Sequence, residues 1–337
     1  MSTFFHSDQN AYFLLILGRI FTTVTRVAPI GATVLNAFLD PEYNRSVITV
    51  LYTCTLYAVH LYTVCCTPVH LMLYNRSVIT LSGRLDSLEA AVTSACEAAT
   101  RMIDMRAHSG GHPRLGSVDL VPLHPITEDT SLRDCDILAA NIVTRLKEAV
   151  PGTSFFIYGS QPGQRGLVER RKEMGWFGSK IQQAPDVGTF DPRYGVTGVG
   201  AAPYMSNFNI SLETSDMRLA ERVLGVIRAR TGGLPGVSAM AFHHNNNIEV
   251  ACNVDMVRGE EDMGDMGDME EILPGFWRTR FTAIESRVRS MASEAGVSVL
   301  GESVIIGLTP DTARKLTLEA LRKGKPSLVT SLASPHM

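Results

Sequence analysis

The chemistry legible in this chain is concentrated in nine residues, His108 to Gly116, reading HSGGHPRLG. An imidazole titrates near pH ~6.5 in the absence of perturbation, so either His can take and return a proton at neutral pH. Gly110 and Gly111 admit backbone paths closed to other residues, and Pro113 fixes φ immediately after His112. His112 therefore stands on a constrained turn from which its ring can face a cleft. Arg114, two residues on, suits a carboxylate, which a guanidinium grips through two parallel hydrogen bonds. The residue types also admit a plainer reading, with His108 and His112 solvated and Arg114 paired to Asp104 or Asp119.

The flanking patterns must position this loop. Before it, LDSLEAAVTSACEAATRMIDM places Leu85, Leu88, Ala91, Val92, Ala95, Ala98 and Ala99 on one side of a helix ending near Met105. After it comes the strand SVDLVPLHP, then a helix capped by Asp129 or Thr130 and stopped by Pro151 and Gly152, then the strand SFFIYGS. From Tyr204 the pattern restarts with the strand YMSNFNISLE and a helix capped by Thr214 or Ser215 and closed by Gly232 and Gly233. Two strands around an NNN turn, a second helix, a strand and a Pro-started helix follow. The order β-α-β-β-α-β-α is the split β-α-β plan of an α+β, ferredoxin-like layer. Residues 258–275 carry a Met-Gly-Asp repeat, read as an acidic loop insertion without the spacing of an EF-hand.

The heptad YNRSVIT occurs twice, at Tyr43–Thr49 and Tyr74–Thr80, separated by the apolar stretch Val50–Leu73. That stretch has the length of a membrane span, yet Pro68, His60 and His70 interrupt it and no charge asymmetry flanks it. It reads as an insertion at 50–73. Because register decides which side chains face the core, one strand site should accept one copy. Tyr74 to Leu81, which leads directly into the helix, is expected to be the paired strand, with Asn75 and Arg76 near the cleft mouth and the spacer looped out.

At 337 residues with 45% hydrophobic and 19% charged, the chain has the composition of a globular protein. A net charge of -3 offers no basic field for nucleic acid or an anionic membrane, so a small-molecule substrate is the expectation. Six cysteines without a C-x-x-C pair suit a reducing compartment. The apolar Ala11–Phe21 stretch is preceded by ten residues without Lys or Arg, unlike a secretory leader. The cytoplasm is the expected location, with an organelle as the alternative.

The stretch DMRAHSGGHPRLGSVDLVPLHPI closely resembles the formiminotransferase family's D-M-x-x-H-x-G-x-H-P-R-x-G-A-x-D-x-x-P run. LDPEYNRSVIT, FFIYGS, FDPRYGVTGVGA and MSNFNISLETSD resemble further strands of that family, so the similarity runs from about Thr33 to Arg322. The resemblance implies two ferredoxin-like (split β-α-β) subdomains, 1–201 and 202–325, with a folate tunnel between them. It implies transfer of a formimino group from N-formimino-L-glutamate to tetrahydrofolate as co-substrate, without a metal, in a chain able to form a homodimer. Carried over residue by residue, the general base falls on His112. The folate segment falls on Gly188, Thr189, Phe190, Asp191, Pro192, Arg193, Tyr194 and Gly195. Arg114, Arg165, Arg170 and Arg193 are candidates for the glutamate carboxylates, Arg170 because LVERRKEMGWF is similar to the family's basic helix.

The chain also departs from the pattern. The family's opening strand, roughly C-V-P-N-[FI]-S-E-G, has no counterpart before Thr33, so the first subdomain is expected to have a disrupted N-terminal strand. Gly111, Ser160 and Asn36 stand where the family commonly has acidic residues. These departures, which resemble the plant-type formiminotransferase-domain proteins, define a second reading: a catalytically impaired folate-binding or interaction protein of the same fold.

Overall fold

A computed structural model describes residues 33–40, 45–51, 57–64, 76–83, 85–107, 114–159, 163–178, 181–244, 246–259, 266–306 and 308–323. His112, Asn75 and the rest of 108–113 lie outside them. The described residues fall into two compact units, one reaching to Ala202 and taking in the chain from Ala313, the other Pro203–Thr312. The protein mixes α and β structure, with fourteen strands and six α-helices among the described residues.

In the first unit one sheet has the order β1-β2-β4-β3-β5-β7-β6, where β1 is Thr33–Asp40, β2 Arg45–Leu51, β3 Tyr57–Val64, β4 Arg76–Gly83, β5 Val118–Pro125, β6 Ser154–Tyr158 and β7 Val196–Ala201. Helices α1 (Leu85–Met102) and α2 (Leu132–Ala149) lie on one face. Leu88, Val92, Ala95 and Ala99 of α1 meet Leu138, Ile142 and Leu146 of α2 and Val121 and Leu123 of β5 in one buried cluster. Leu85, expected on that side, is exposed. A second cluster of Leu120, Phe156, Tyr158, Met174 and Val196 covers the opposite face. Strand β5 is thus buried on both faces, which explains why its apolar residues do not alternate with polar ones, Asp119 and His124 apart.

The structure corrects the expectation for the repeat. The second copy is a paired strand, as anticipated, but the first is in the sheet as well. It lies parallel to the second with like opposite like: Arg45 faces Arg76, Ser46 faces Ser77, Val47 faces Val78, Ile48 faces Ile79 and Thr49 faces Thr80. The spacer does not loop out as a whole. Its middle, Tyr57–Val64, forms β3 and pairs antiparallel with β4 on one side and β5 on the other. Two identical sequences have the same alternation, so both satisfy the same pleat. Strands β4 and β5 each carry a row of backbone donors and acceptors that need a partner between them.

The second unit holds a four-stranded antiparallel sheet of order β14-β8-β10-β9, formed by β8 (Met205–Leu212), β9 (Val237–His244), β10 (Asn247–Asp255) and β14 (Val299–Ile306). Helices α4 (Met217–Ile227) and α5 (Phe281–Glu294) pack their apolar sides on one face. Strand β8 alternates buried and half-buried residues along its length, the pattern of a sheet covered on one side. The strand that opens this unit, β8, lies between the last strand and the third. In the first unit β3 lies between β4 and β5.

Residues 258–275 are not simply a loop. Strands β11 (Val257–Arg258), β12 (Met269–Leu273) and β13 (Phe276–Thr279) form a small sheet there. Buried Arg278 ties it down, 2.6 Å from Glu270 and stacked over Phe281 at 4.5 Å. Two helix starts also differ from expectation. Helix α2 is capped by Ser131, which accepts from Asp134 N while Asp134 reaches back to Ser131 N, and α4 is capped by Asp216. The closing helix, α6 (Pro310–Lys323), sets Thr317 against Ser82 of β4, oxygen to oxygen at 2.9 Å.

Candidate functional site

The chain entering and leaving 108–113 is pinned to a single turn, residues 188–195. On the entry side Met105 N donates to Arg193 O at 2.9 Å. On the exit side Val196 N donates to Leu115 O at 2.8 Å and Ser117 N to Tyr194 O at 2.9 Å. Gly116 and Gly195 bridge directly, and neither could carry a side chain there. A Cβ on Gly195, whose φ is +70°, would stand 2.1 Å from Leu115 O, and one on Gly116 would stand 2.6 Å from Val196 O. A Cβ on Gly188, whose φ is +79°, would likewise stand 2.4 Å from Thr153 O, so the start of the turn lies close against the chain that leaves α2.

Inside the turn Asp191 organises the backbone. Its carbonyl accepts from Tyr194 N and Gly195 N, and its carboxylate accepts from Arg193 N at 2.8 Å. Arg193 then reaches across to the entry side, donating to Asp104 at 3.1 Å and to Arg101 O at 3.3 Å, with its guanidinium 5.3 Å from the Tyr194 ring centre. Arg106 holds the same carboxylate through side-chain hydrogen bonds of 2.9, 3.2 and 2.6 Å and a backbone one of 3.0 Å. The Arg106 hydrogen bonds hold the Asp104 carboxyl far below the usual carboxylate range. Thr189, Phe190 and Pro192 are exposed on the outside of the turn.

The turn 188–195 meets the chain on both sides of 108–113, through Met105 before it and Leu115, Gly116 and Ser117 after it. Arg114 is half-buried at the exit, beside Leu115. The side chain of Arg76 is not described, but its backbone lies between Arg45 of β2 and Val64 of β3. Arg170 differs from expectation. It sits in α3 (Leu167–Glu173), fully buried, donating to Ile157 O at 3.0 Å and paired with Glu173 and Asp186. Its donors face two carboxylates and a carbonyl inside the protein, which makes it a packing and ion-pair residue. Arg165, 40% exposed, joins the same network through Glu173 at 3.0 Å.

The neighbouring residue, Arg171, was not singled out by the sequence, yet it is linked through Asp119 to Leu115. Successive residues on a helix point about 100° apart, so Arg170 and Arg171 face different surroundings. Arg171 pairs with Asp119 of β5 at 3.2 Å and stacks 4.1 Å above Trp176. Asp119 in turn accepts from Leu115 N at 2.6 Å. The signal that could have found it is the Asp in the run after H-P-R, a lone carboxylate in a strand buried on both faces.

The described cysteines, Cys96, Cys135 and Cys252, are buried thiols, and burial pushes the Cys252 thiol up to about 12. They are poor nucleophiles. Among the described residues no group of three or more His, Cys, Asp or Glu could hold a metal ion, and no helix is long and apolar enough to cross a membrane.

Residues 70–202 match the family described as formiminotransferase domain, N-terminal subdomain. A glutamate formimidoyltransferase of Thermoplasma acidophilum is 28% identical over 253 residues, covering 71% of this chain and 76% of that protein. A glutamate formimidoyltransferase of Streptococcus pyogenes is 29% identical over 249 residues, 71% of this chain and 77% of that one. A formiminotransferase cyclodeaminase-like protein of Arabidopsis thaliana is 28% identical over 203 residues, 54% of this chain and 68% of that one.

Proposed function

From a chain whose residues 70–202 match the formiminotransferase N-terminal subdomain, we propose a folate-dependent formimino transferase. The donor in this reading is N-formimino-L-glutamate and the acceptor tetrahydrofolate. The observation that carries it is the pinning of both ends of 108–113 to the turn 188–195, the two segments on which the family resemblance places the base and the folate contacts. Its relatives named glutamate formimidoyltransferase support the transferase over the impaired variant. So does β3, since the slot that an absent opening strand would leave between β4 and β5 is filled.

In this reading a folate nitrogen attacks the amidine carbon, and His112 accepts the proton lost as the new C–N bond forms. The same imidazolium returns that proton to the departing glutamate nitrogen as the old C–N bond breaks, so one His serves in turn as base and acid. Arg114 is assigned to a glutamate carboxylate, and Arg193, already committed to Asp104, holds the turn in shape. The order β14-β8-β10-β9 supports the split β-α-β subdomain plan for the second unit. The full chain incubated with N-formimino-L-glutamate and tetrahydrofolate should form a 5-formimino adduct, and His112→Ala should abolish it. Absence of turnover in folded wild-type protein would overturn the reading.

A further inference from the structure

In the second unit Glu249, near the start of β10, is only 8% exposed. Its strand neighbours Ile248 and Val250 belong to the core under α4 and α5, so Glu249 lies on the other face of the sheet. Its two oxygens are divided between the flanking strands. Oε1 accepts from Asn209 Nδ2 of β8, and Oε2 meets His244 Nδ1 of β9 at 2.7 Å. Both contacts are diagonal, because the residues directly opposite Glu249 are Ser211 and Phe242. One side chain thus ties three strands together. His244 pairs with Asn247 across a two-residue turn in which Asn246 takes the left-handed backbone, φ +61°. The His244–Glu249 contact therefore closes the hairpin just inside its turn. An ionised carboxylate removed from water is costly unless a cation and hydrogen bonds compensate it. Among the described residues no Lys or Arg pairs with Glu249, whose partners are an amide and an imidazole. Of these the imidazole alone can become a cation, and it does so near neutral pH. A carboxylate only accepts, so the shared hydrogen sits on Nδ1 and the second proton is taken up at Nε2.

We propose that His244 and Glu249 form a pH-sensitive clasp on the β9–β10 hairpin, an ion pair when the imidazole carries its second proton and a neutral hydrogen bond when it does not. The inference is independent of the transfer reaction. Two effects oppose each other at His244, since partial burial disfavours the imidazolium and the carboxylate favours it. The His244 side chain keeps 24% of its surface exposed while the carboxylate is in direct contact, so the carboxylate prevails. The closed hairpin then binds the proton more tightly than the open one. Its extra stability is present on the acid side of the histidine range and is lost as the pH rises through that range, about pH 5 to 8. The other titratable groups on the surrounding strands stand apart from the pair. His243 alternates to the opposite face of β9, and Asp255, on the same face as Glu249, is six residues further along β10. Glu213 follows β8, Glu302 lies in the irregular stretch of β14, and Arg228 reaches β9 at Ala239 O.

The test uses the full chain with carbon-13-labelled histidine, read by NMR, and the His244 signal is the one that disappears in His244→Gln. Glu249→Gln keeps the shape of the side chain and an acceptor for Nδ1 while removing the charge. In that variant His244 should release its proton about one pH unit lower than in wild type, a tenfold loss of proton affinity. Amide exchange of β9 and β10 supplies the second readout, taken as protection relative to the unstructured chain so that the intrinsic pH dependence cancels. Between about pH 5 and 8, protection should fall about tenfold further in wild type than in Glu249→Gln or His244→Gln, all of which keep Asp255. Both results support the clasp. Equal titration of His244 in wild type and Glu249→Gln, or equal pH slopes of protection, overturns it. If Glu249→Gln does not fold, the slope in His244→Gln against wild type decides the matter.

Discussion

At the scale of single residues, the two arginines of α3 face different surroundings. Arg170 has no exposed surface and faces Glu173, Asp186 and Ile157 O. Removing one partner of a buried pair costs about 3–5 kcal/mol because the remaining charges stay buried. Arg170→Ala should therefore lower the urea midpoint of the first unit steeply, and any residual enzyme should keep its KM. Asp104 behaves differently because it is accessible. Its carboxyl is held low by Arg106, so the stabilisation is complete above the ordinary Asp value of about 3.9 and is lost as the pH falls toward the depressed one. Unfolding curves of wild type and Asp104→Asn should stay separated from neutrality down to about pH 4 and converge only in stronger acid. A gap that closes near pH 6 would refute the role of this carboxylate.

At the scale of elements, caps and strand contacts make checkable statements. Ser131→Ala should cost about 1 kcal/mol through loss of the reciprocal cap on α2, and Thr130→Ala should cost less. A thermal melt that ranks them the other way contradicts the cap assignment. How much of this was legible depends on what each residue competes with. The helix α2 was readable from its apolar spacing. Its first residue was not, because Thr130 and Ser131 are both competent caps and the choice falls to the one that Asp134 can reach. Strands β8 and β10 were readable as alternation. The pinning of 108–113 was readable only as a resemblance of motifs, since backbone hydrogen bonds such as Met105 to Arg193 leave no mark on side-chain types. Arg171 was missed for a geometric reason, as its face on α3 is settled by Trp176 and Asp119, which lie elsewhere in the sequence.

At the scale of the molecule, the sheet order assigns the spacer a structural place. Leu61 lies in the middle of β3, paired with Ile79, and proline there removes a ladder hydrogen bond from an interior strand. Leu61→Pro should unfold the first unit while far-UV and proteolysis signatures of Pro203–Thr312 persist. A dispensable spacer would instead tolerate the substitution with little change in the melt. The identical heptads carry a further consequence, and it concerns the order of folding events. Strand β1 meets the same run Arg-Ser-Val-Ile-Thr whichever copy it zips against, so those five positions cannot tell the correct hairpin from the wrong one. The intervening chain does: four residues, 41–44, separate β1 from β2, and thirty-five, 41–75, separate it from β4. Loop-closure entropy rises by about 0.6 kcal/mol per doubling of length, so the nearer copy is favoured by about 2 kcal/mol. A few chains in a hundred should then pair β1 with the distant copy first and have to unzip, giving a minor slow refolding phase that disappears when the first heptad alone is recoded.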